Sequence, residues 1–215
     1  MSIATMILGE SGTGKTTSLR NVDPASALLI QAVNKPLPFR NSEWKPATQA
    51  NPSGSIYVTD DSRKICTAMQ RTKRQIVILD DFQYVLANEF MRRNQEKGYD
   101  KFNDIGRNAW DILTTANSLP PDTRVYILAH THSDESGKVR AKTIGRMLDD
   151  KITVEGLFTI VLRTAVINGQ YLFSTQNSGH DTVKSPLGLF GADHIDNDLQ
   201  AVDSEICQYF NINQA

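Results

Sequence analysis

The chain has 215 residues, a formal net charge of -1 and 40% hydrophobic residues, values typical of one domain with a substantial core. This balance excludes a nucleic-acid or membrane-surface protein that works through bulk basicity, so any such contact requires a local basic patch. No apolar stretch reaches the roughly 18 residues of a membrane span, and no secretory signal opens the chain. Cys66 and Cys207 lie far apart and in no metal-like spacing, which favours free thiols and a cytoplasmic protein.

The first predicted element is an apolar strand over residues 3–8, followed directly by a glycine-rich loop. This loop reads Gly9-Glu10-Ser11-Gly12-Thr13-Gly14-Lys15-Thr16 and fits the phosphate-binding pattern G-x-x-x-x-G-K-[ST], the Walker A motif. The backbone N–H groups of such a loop cradle phosphates, Lys15 reaches the β- and γ-phosphates, and the Thr16 hydroxyl binds Mg²⁺. Residues 16–22 predict a helix that ends at Asp23-Pro24. Together with Thr17, the motif predicts a site for ATP and Mg²⁺.

Two further strands are predicted over residues 27–32 and 55–59, and a helix with a basic C-terminal end follows the second of them. Next comes Gln75-Ile76-Val77-Ile78-Leu79-Asp80-Asp81, a continuous apolar run typical of a buried parallel strand. Its two terminal carboxylates give it the form of a Walker B motif. Asp80 is predicted to hold Mg²⁺, and Asp81 to face the attacking water as the catalytic carboxylate. Without the glycine loop, the same acids would read equally well as polar caps on a core strand.

Two amphipathic helices are predicted after this strand, the first starting at Phe82 and the second ending before Pro120-Pro121. Their basic residues indicate either a binding patch or, more simply, a solvated helix face; they are Arg92, Arg93, Lys97, Lys101 and Arg107. A further buried-type strand ends at His130, which is expected at the same sheet edge as Asp80 and within reach of the γ-phosphate. The alternative is a metal site made of His130, His132 and Asp134, although no third strong ligand recurs at a useful spacing.

Residues 133–151 predict a polar loop leading into a helix. A cationic loop of this length at the catalytic edge favours contact with DNA or a neighbouring subunit, and a solvated loop without a partner is the alternative. Asn168-Gly169 predicts a tight hairpin between residues 156–167 and 170–174, and Asn197-Asp198 starts a final helix. Some cations are candidates for DNA contact or for delivery to a neighbour's phosphates; they are Arg146, Lys151, Arg163 and Lys184.

Alternating strands and helices followed by a hairpin predict an α/β fold, with a mainly parallel sheet, helices on both faces and a C-terminal antiparallel hairpin. Two candidate strands separate the two Walker motifs in the sequence. This separation favours an ATPase of the type that has another strand inserted between the two motif strands. A P-loop kinase is less favoured. We expect one domain over residues 1–215, with an ATPase core over about 1–176 and a C-terminal loop and helix over 177–215.

With these motifs, most of the chain resembles the RecA-like ATPases of bacteriophages, in particular the small single-strand annealing recombinases. Beyond the Walker motifs, the resemblance rests on Lys35-Pro36-Leu37-Pro38-Phe39, Ala129-His130, Gly156-Leu157-Phe158, Thr182-Val183-Lys184-Ser185-Pro186 and Asn197-Asp198-Leu199. It implies a RecA-like P-loop core, binding of ATP, Mg²⁺ and single-stranded DNA, and a part in annealing or strand exchange beside a phage single-strand binding protein. For a phage protein, the expected location is the cytoplasm of the host.

Two departures from the RecA pattern qualify these expectations. RecA-type enzymes commonly place a catalytic glutamate just after the second strand, where this chain reads Gln31-Ala32-Val33-Asn34 without a carboxylate. Asp81 is the expected substitute and Glu43 a second candidate, and slow or DNA-stimulated ATP hydrolysis is expected. The chain also begins two residues before its first strand, so a homo-oligomer is expected to use a surface other than the N-terminal segment of RecA filaments.

Two other functions stay open at this point. The first is an ATPase that loads or remodels a protein partner in DNA replication, in which the same basic loops bind protein. The second is a small-molecule kinase or a nucleotide-gated interaction module with little turnover. Stimulation of hydrolysis by DNA, or transfer of phosphate to a small molecule, separates these possibilities.

Overall fold

A computed structural model describes residues 1–40, 42–144 and 152–212. Over these residues the chain forms a mostly parallel mixed sheet with helices on both faces. The strands are β1 (Ile3–Gly9), β2 (Ala27–Gln31), β3 (Ile56–Val58), β4 (Ile76–Asp80), β5 (Arg124–Ser133), β6 (Val139–Ala141), β7 (Ile160–Ile167), β8 (Gln170–Ser174) and β9 (His194–Asp196). The helices are α1 (Ser62–Arg71), α2 (Phe82–Arg92), α3 (Asp100–Ser118) and α4 (Leu199–Phe210), with 3₁₀ turns at Thr16–Asn21 and Val154–Leu157.

The order of strands across the sheet is β3-β2-β4-β5-β1-β7-β8-β9, and β6 pairs with the distal part of β5. Neighbours from β3 through β7 are parallel, whereas β8 and β9 add an antiparallel extension. Strand β5 lies between β1, which leads into the glycine loop, and β4, which ends in Asp80. The expected inserted strand between the two motif strands is therefore confirmed.

Side chains that alternate along the buried strands divide the core into two layers. On β1, Met6 and Leu8 face the layer formed by α1, α2 and α3, whereas Ile7 faces the layer that contains α4 and the 3₁₀ turn after the glycine loop. All of these side chains are fully buried. Because both faces of the sheet are covered, β4 needs apolar residues at successive positions, and this need explains its unbroken run.

Helix α4 is joined to the sheet by a buried ion pair. Arg124 on β5 donates from Nε to Asp203 Oδ1 at 3.0 Å and from Nη2 to Oδ2 at 3.1 Å, and the Tyr126 hydroxyl donates to Oδ1 at 2.6 Å. Burial, with the Asp203 charge beside it, raises the pKa of Tyr126 well above its ordinary value. Asp198 caps the helix by accepting from the N–H groups of Gln200 and Ala201. The C-terminal helix thus belongs to the core.

The expected hairpin is confirmed, with Asn168 at φ 52° and Gly169 at φ 79°, the left-handed values that a two-residue turn requires. Three predictions about individual elements are wrong, one about the type of a helix and two about the ends of strands. A 3₁₀ turn replaces the helix over residues 16–22, and the hairpin's first strand begins at Ile160 after a 3₁₀ turn. Strand β5 runs past His130 to Ser133 because β6 supplies it with an antiparallel partner. No helix in the described part of the chain has both the length and the apolar character needed to cross a bilayer.

Candidate functional site

The carboxyl ends of three parallel strands bring the two predicted motifs together. Gly9, at the end of β1, lies opposite His130 of β5, and β4 ends nearby at Asp80. A cleft of about 440 Å³ opens at this edge. Its lining includes residues of the glycine loop together with Lys15, Thr16, Thr17, Lys35, Asp81, His130 and Tyr171. The predicted phosphate-binding loop, Asp81 and His130 therefore meet in one cleft.

The glycine loop has a shape that side chains would disrupt at two positions. Gly14 has φ 98°, and a Cβ atom there would lie 3.0 Å from both Asn197 Oδ1 and a Tyr171 ring carbon. A Cβ atom on Gly9 would lie only 1.9 Å from Thr164 Oγ1. The hydroxyls of Thr13 and Thr164 are 2.6 Å apart, so β7 supports the loop from the side. The motif glycines thus permit a curled backbone packed closely against the sheet.

Lys15 folds back over its own loop. Its Nζ donates to the carbonyl oxygens of Gly9 and Glu10, each at 2.8 Å, and only 6% of the residue is exposed. Burial lowers the Lys15 pKa to about 8, although the nearby charges of Asp81 and Asp80 partly oppose the shift. The ammonium group has only neutral acceptors for its hydrogen bonds, so a bound anion would stabilise its charged form.

Thr16 and Asp80 place a hydroxyl and a carboxylate side by side. Thr16 Oγ1 donates to Asp80, lying 3.2 Å from Oδ1 and 3.0 Å from Oδ2. Asp80 is 1% exposed, and burial, followed by the charge of Asp81, raises its pKa to about 6. Adjacent hard oxygen ligands of this kind fit Mg²⁺, which also keeps waters and takes phosphate oxygens. The two residues are therefore suited to the role that the sequence predicts for them.

The histidine-rich metal alternative gains no support. Over residues 1–40, 42–144 and 152–212, no three His, Cys, Asp or Glu side chains meet as a metal-binding group. Asp134 instead accepts from the Ser136 hydroxyl at 2.6 Å and from Arg140 Nε at 3.0 Å. A Mg²⁺ ion bound largely by phosphate and water would not require such a cluster.

Asp81 joins two other groups of the cleft. One carboxylate oxygen is ion-paired with Lys35 Nζ, and the other lies 3.5 Å from His130 Nε2. Burial is the largest single influence on Lys35 and opposes its charge, but the hydrogen bond to Asp81 and the charges of Asp80 and Asp81 together outweigh it, so the net Lys35 pKa is raised. Burial and the Lys15 charge lower the pKa of His130, although Asp81 opposes them. The cleft thus contains two cations, Lys15 and Lys35, beside the carboxylates of Asp80 and Asp81.

The backbone of Asp81 is left-handed, with φ 63° and ψ 44°. For a residue with a side chain this conformation costs of order 1–3 kcal/mol and is found mainly where surrounding contacts enforce it. The Asp81 side chain is only 4% exposed. Strand β4 ends immediately before it and α2 begins immediately after it, so the bend turns the carboxylate into the cleft rather than along the helix.

Lys35 and Tyr171 line the cleft, although the sequence did not indicate them as site residues. Lys35 lies in the segment after β2, where its carbonyl accepts from Gln31 Nε2 at 3.2 Å. The sequence could have indicated Lys35, because it opens the Lys35-Pro36-Leu37-Pro38-Phe39 motif on which the family resemblance partly rests. Tyr171 comes from the hairpin, and no local pattern indicates that β8 reaches the glycine loop. Glu43, the second candidate for the catalytic carboxylate, lines a different cleft beside Asp23 and Arg74, apart from the glycine loop.

The expected contact cations have different surroundings. Arg163 lies beside Leu8 of β1, with Nη1 3.7 Å from Asp181 Oδ2. Lys184 pairs through its backbone with Val161. Arg146 and Lys151 lie outside the described residues.

The helical basic residues mostly have partners within the chain. Arg92 pairs with Asp60, Arg107 pairs with Asp111, and Arg93 contacts three carboxylates. Lys101 donates to three backbone carbonyls and lies over the rings of Phe90 and Phe102. These contacts favour the solvated-face interpretation over a free binding patch.

Replacing Asp80 with asparagine is expected to stabilise the protein, measured without nucleotide or Mg²⁺, by about 3 kcal/mol at pH 8. The folded protein ionises Asp80 only above a pKa of about 6, against 3.8 for the ordinary group. The cost of the Asp80 carboxylate to the free energy of unfolding therefore grows as pH rises from 3.8 to 6 and stays constant above 6. Asparagine at this position does not ionise and carries no such cost. Urea unfolding of both proteins at several pH values measures this difference.

The matched control is Glu205→Gln, which neutralises an exposed acid on α4 and is expected to change the free energy of unfolding very little. The difference between wild type and Asp80→Asn should disappear as pH falls towards 4. An Asp80→Asn protein that is less stable than wild type at pH 8 would contradict the assignment of a destabilising buried carboxylate.

No known protein-family profile matches this chain, and a search of curated proteins finds no significantly similar sequence.

Proposed function

We propose that this protein binds and hydrolyses ATP on a RecA-like P-loop fold and acts on single-stranded DNA in phage recombination or annealing. One observation carries the nucleotide part: the sheet edge assembles the curled glycine loop, Lys15 and Thr16 around one cleft, and the buried Asp80 carboxylate accepts from the Thr16 hydroxyl. Each of these groups is suited to a part of a Mg²⁺-nucleotide. The DNA part is the more specific proposal, and it depends on the resemblance to phage annealing ATPases.

Binding of ATP would exchange contacts that the cleft already contains. Lys15 would leave the Gly9 and Glu10 carbonyls for the β- and γ-phosphates, gaining charge-assisted hydrogen bonds in their place. Thr16 and Asp80 would hold Mg²⁺, which supplies positive charge to the phosphate oxygens. The loop N–H groups would bind phosphate oxygens as in other glycine-rich loops.

Lys35 would be a second cation, after Lys15, that contacts the phosphates, and it belongs to the same chain. Its ammonium is paired with Asp81, and 39% of its side chain is exposed, so it retains room to move. A γ-phosphate entering the cleft would compete with Asp81 for this cation. Release of Lys35 would then free one Asp81 oxygen at the moment when substrate is present.

Asp81 and His130 would position the attacking water. The carboxylate accepts a proton from water, while the lowered pKa of His130 favours its neutral imidazole at pH 7, a form that both accepts and donates hydrogen bonds. The Lys35 exchange couples this step to the presence of the γ-phosphate. Such coupling would limit hydrolysis in the absence of a correctly placed nucleotide and agrees with the expected slow turnover.

The proposal is tested by measuring release of inorganic phosphate from ATP, with and without single-stranded DNA, over a series of salt concentrations. Mg²⁺-dependent hydrolysis that rises with DNA is the expected result, and the DNA effect should weaken steeply as salt increases. Absence of ATP binding would contradict the nucleotide proposal. Hydrolysis with no DNA binding even at low salt would contradict only the DNA part.

One observation favours a second candidate, an ATPase that loads or remodels a protein partner. The helical cations that could form a binding patch are largely paired with acids of the same chain. If the phosphate-release experiment shows hydrolysis without DNA binding, this candidate replaces the first. Transfer of the γ-phosphate to a small molecule in place of water would instead identify a kinase.

A further inference from the structure

A groove runs along the outer edge of the sheet, between α1 and the segment around β3. It has a volume of about 820 Å³ and lies apart from the glycine-loop cleft, with no lining residue in common. Its floor includes aliphatic surface from Leu28, Ala47 and Ala68, beside the ring of Tyr57. Neither the expected ATP site nor the expected basic loops account for this groove.

Over the described parts of the chain, no acid lines the groove beside its cations, although Arg63 also borders a neighbouring cleft that contains Asp60 and Asp61. The cations are Arg63, Lys64, Arg71, Lys73 and Arg74. Arg74 is fixed by donating to the carbonyls of Ala27, Ser53 and Gly54. The side chains of the other four form no hydrogen bond or ion pair with any described residue. In a chain whose formal net charge is -1, this concentration of unpaired positive charge marks the groove as a site for an anionic ligand.

We propose that this groove binds an acidic peptide segment of a partner protein, one that also carries apolar side chains. The carboxylates of such a segment would meet Lys64, Arg71 and Lys73, while its apolar side chains would cover the aliphatic floor. Helix α1 has ten residues and is about 15 Å long, so the groove beside it accommodates roughly four or five residues of extended chain.

The nature of the floor favours peptide over single-stranded nucleic acid. Bases bind single-strand sites mainly by stacking on exposed aromatic faces. The groove offers one aromatic residue, Tyr57, which is partly buried, and its other apolar surface comes from aliphatic side chains and Pro52. Such a surface suits leucine, isoleucine or phenylalanine side chains, and the unpaired cations supply the preference for acidic neighbours.

The test selects binders from a displayed library of random peptides of about ten residues, enough to exceed the length of the groove. We expect the selected peptides to combine aspartate or glutamate with large apolar residues. The double variant Lys64→Glu/Arg71→Glu should weaken their binding at least about tenfold in fluorescence anisotropy, since two favourable charge contacts become repulsive. Binding to wild type should weaken as salt increases.

The matched control is Lys97→Glu/Arg107→Glu, which makes the same charge change at two exposed cations outside the groove, on the face that the internal contacts assign to solvent, and should leave peptide binding within about twofold. Phosphate release from ATP should be the same for wild type and both double variants, so this test is independent of the proposed ATPase. The proposal is overturned if no peptide is enriched, if enriched peptides lack acids or bind the groove variant normally, or if the groove variant loses only binding of a single-stranded DNA oligomer.

Discussion

Replacing Lys15 with alanine is expected to weaken ATP binding at least about a hundredfold and to abolish measurable hydrolysis. Among the described residues, the wild-type ammonium donates hydrogen bonds to the carbonyls of Gly9 and Glu10 alone, whereas phosphate oxygens would give it charge-assisted partners. Its loss removes that gain without leaving an unpaired charge behind. Titration of a fluorescent ATP analogue, followed by phosphate release at saturating nucleotide, measures both effects.

The pH dependence of binding gives this prediction a second readout. Because burial lowers the Lys15 pKa to about 8, the free protein loses this proton as pH rises through 8, and phosphate binding must then restore it. Wild-type affinity for ATP should therefore decline above pH 8, while the Lys15→Ala variant lacks this decline. Lys97→Ala, at an exposed lysine between α2 and α3, is the control and should behave like wild type. Equal ATP affinity for Lys15→Ala and wild type would show that the glycine loop is not the nucleotide site.

Replacing Lys35 with alanine is expected to lower the turnover number for ATP about a hundredfold while changing nucleotide affinity only a few-fold. The reason is that the proposed role of Lys35 concerns charge developing on the γ-phosphate and the release of Asp81, both of which matter most in the transition state. Lys35→Arg should recover part of the turnover because it keeps the positive charge. Single-turnover phosphate release and an independent binding titration separate the two parameters.

A purely structural role for Lys35 predicts another pattern. Removing the cation leaves the buried Asp81 carboxylate without its partner, so Lys35→Ala should also unfold at a lower urea concentration. If the variant is less stable but its turnover at a temperature where it is fully folded equals that of wild type, then Lys35 only neutralises Asp81. Comparison with Asp81→Asn and with the double variant shows whether the two side chains act as one unit.

The local sequence predicted the parts of the fold whose pattern is short-range. The apolar runs of β1 and β4 predicted buried parallel strands, and Asn168-Gly169 predicted the hairpin because few dipeptides tolerate positive φ at successive positions. The glycine-loop motif also predicted residues that the structure brings together along one cleft. The weaker predictions concerned boundaries: the 3₁₀ turn at Thr16–Asn21 and the extension of β5 to Ser133 depend on packing and on a partner strand that local propensity does not reveal.

Pairings between distant residues could not be predicted in the same way. Lys35 and Asp81 are 46 positions apart in the sequence, and their contact exists only because β2 and β4 are neighbours in the sheet. The same holds for Arg124 with Asp203, which joins α4 to β5. Charge composition alone likewise left open a patch or a solvated face on the helices, and the folded structure decides by pairing Arg92, Arg93 and Arg107 with acids.

The sequence by itself therefore determined a glycine-rich loop suited to phosphate, an acidic strand end suited to a metal, and an alternating α/β pattern, since each follows from residue types at fixed short spacing. Only the tertiary structure decided that Asp81 is shared between Lys35 and His130, and which cations remain unpaired. Strand order determines which loops meet at the sheet edge, and burial then determines which charges are neutralised.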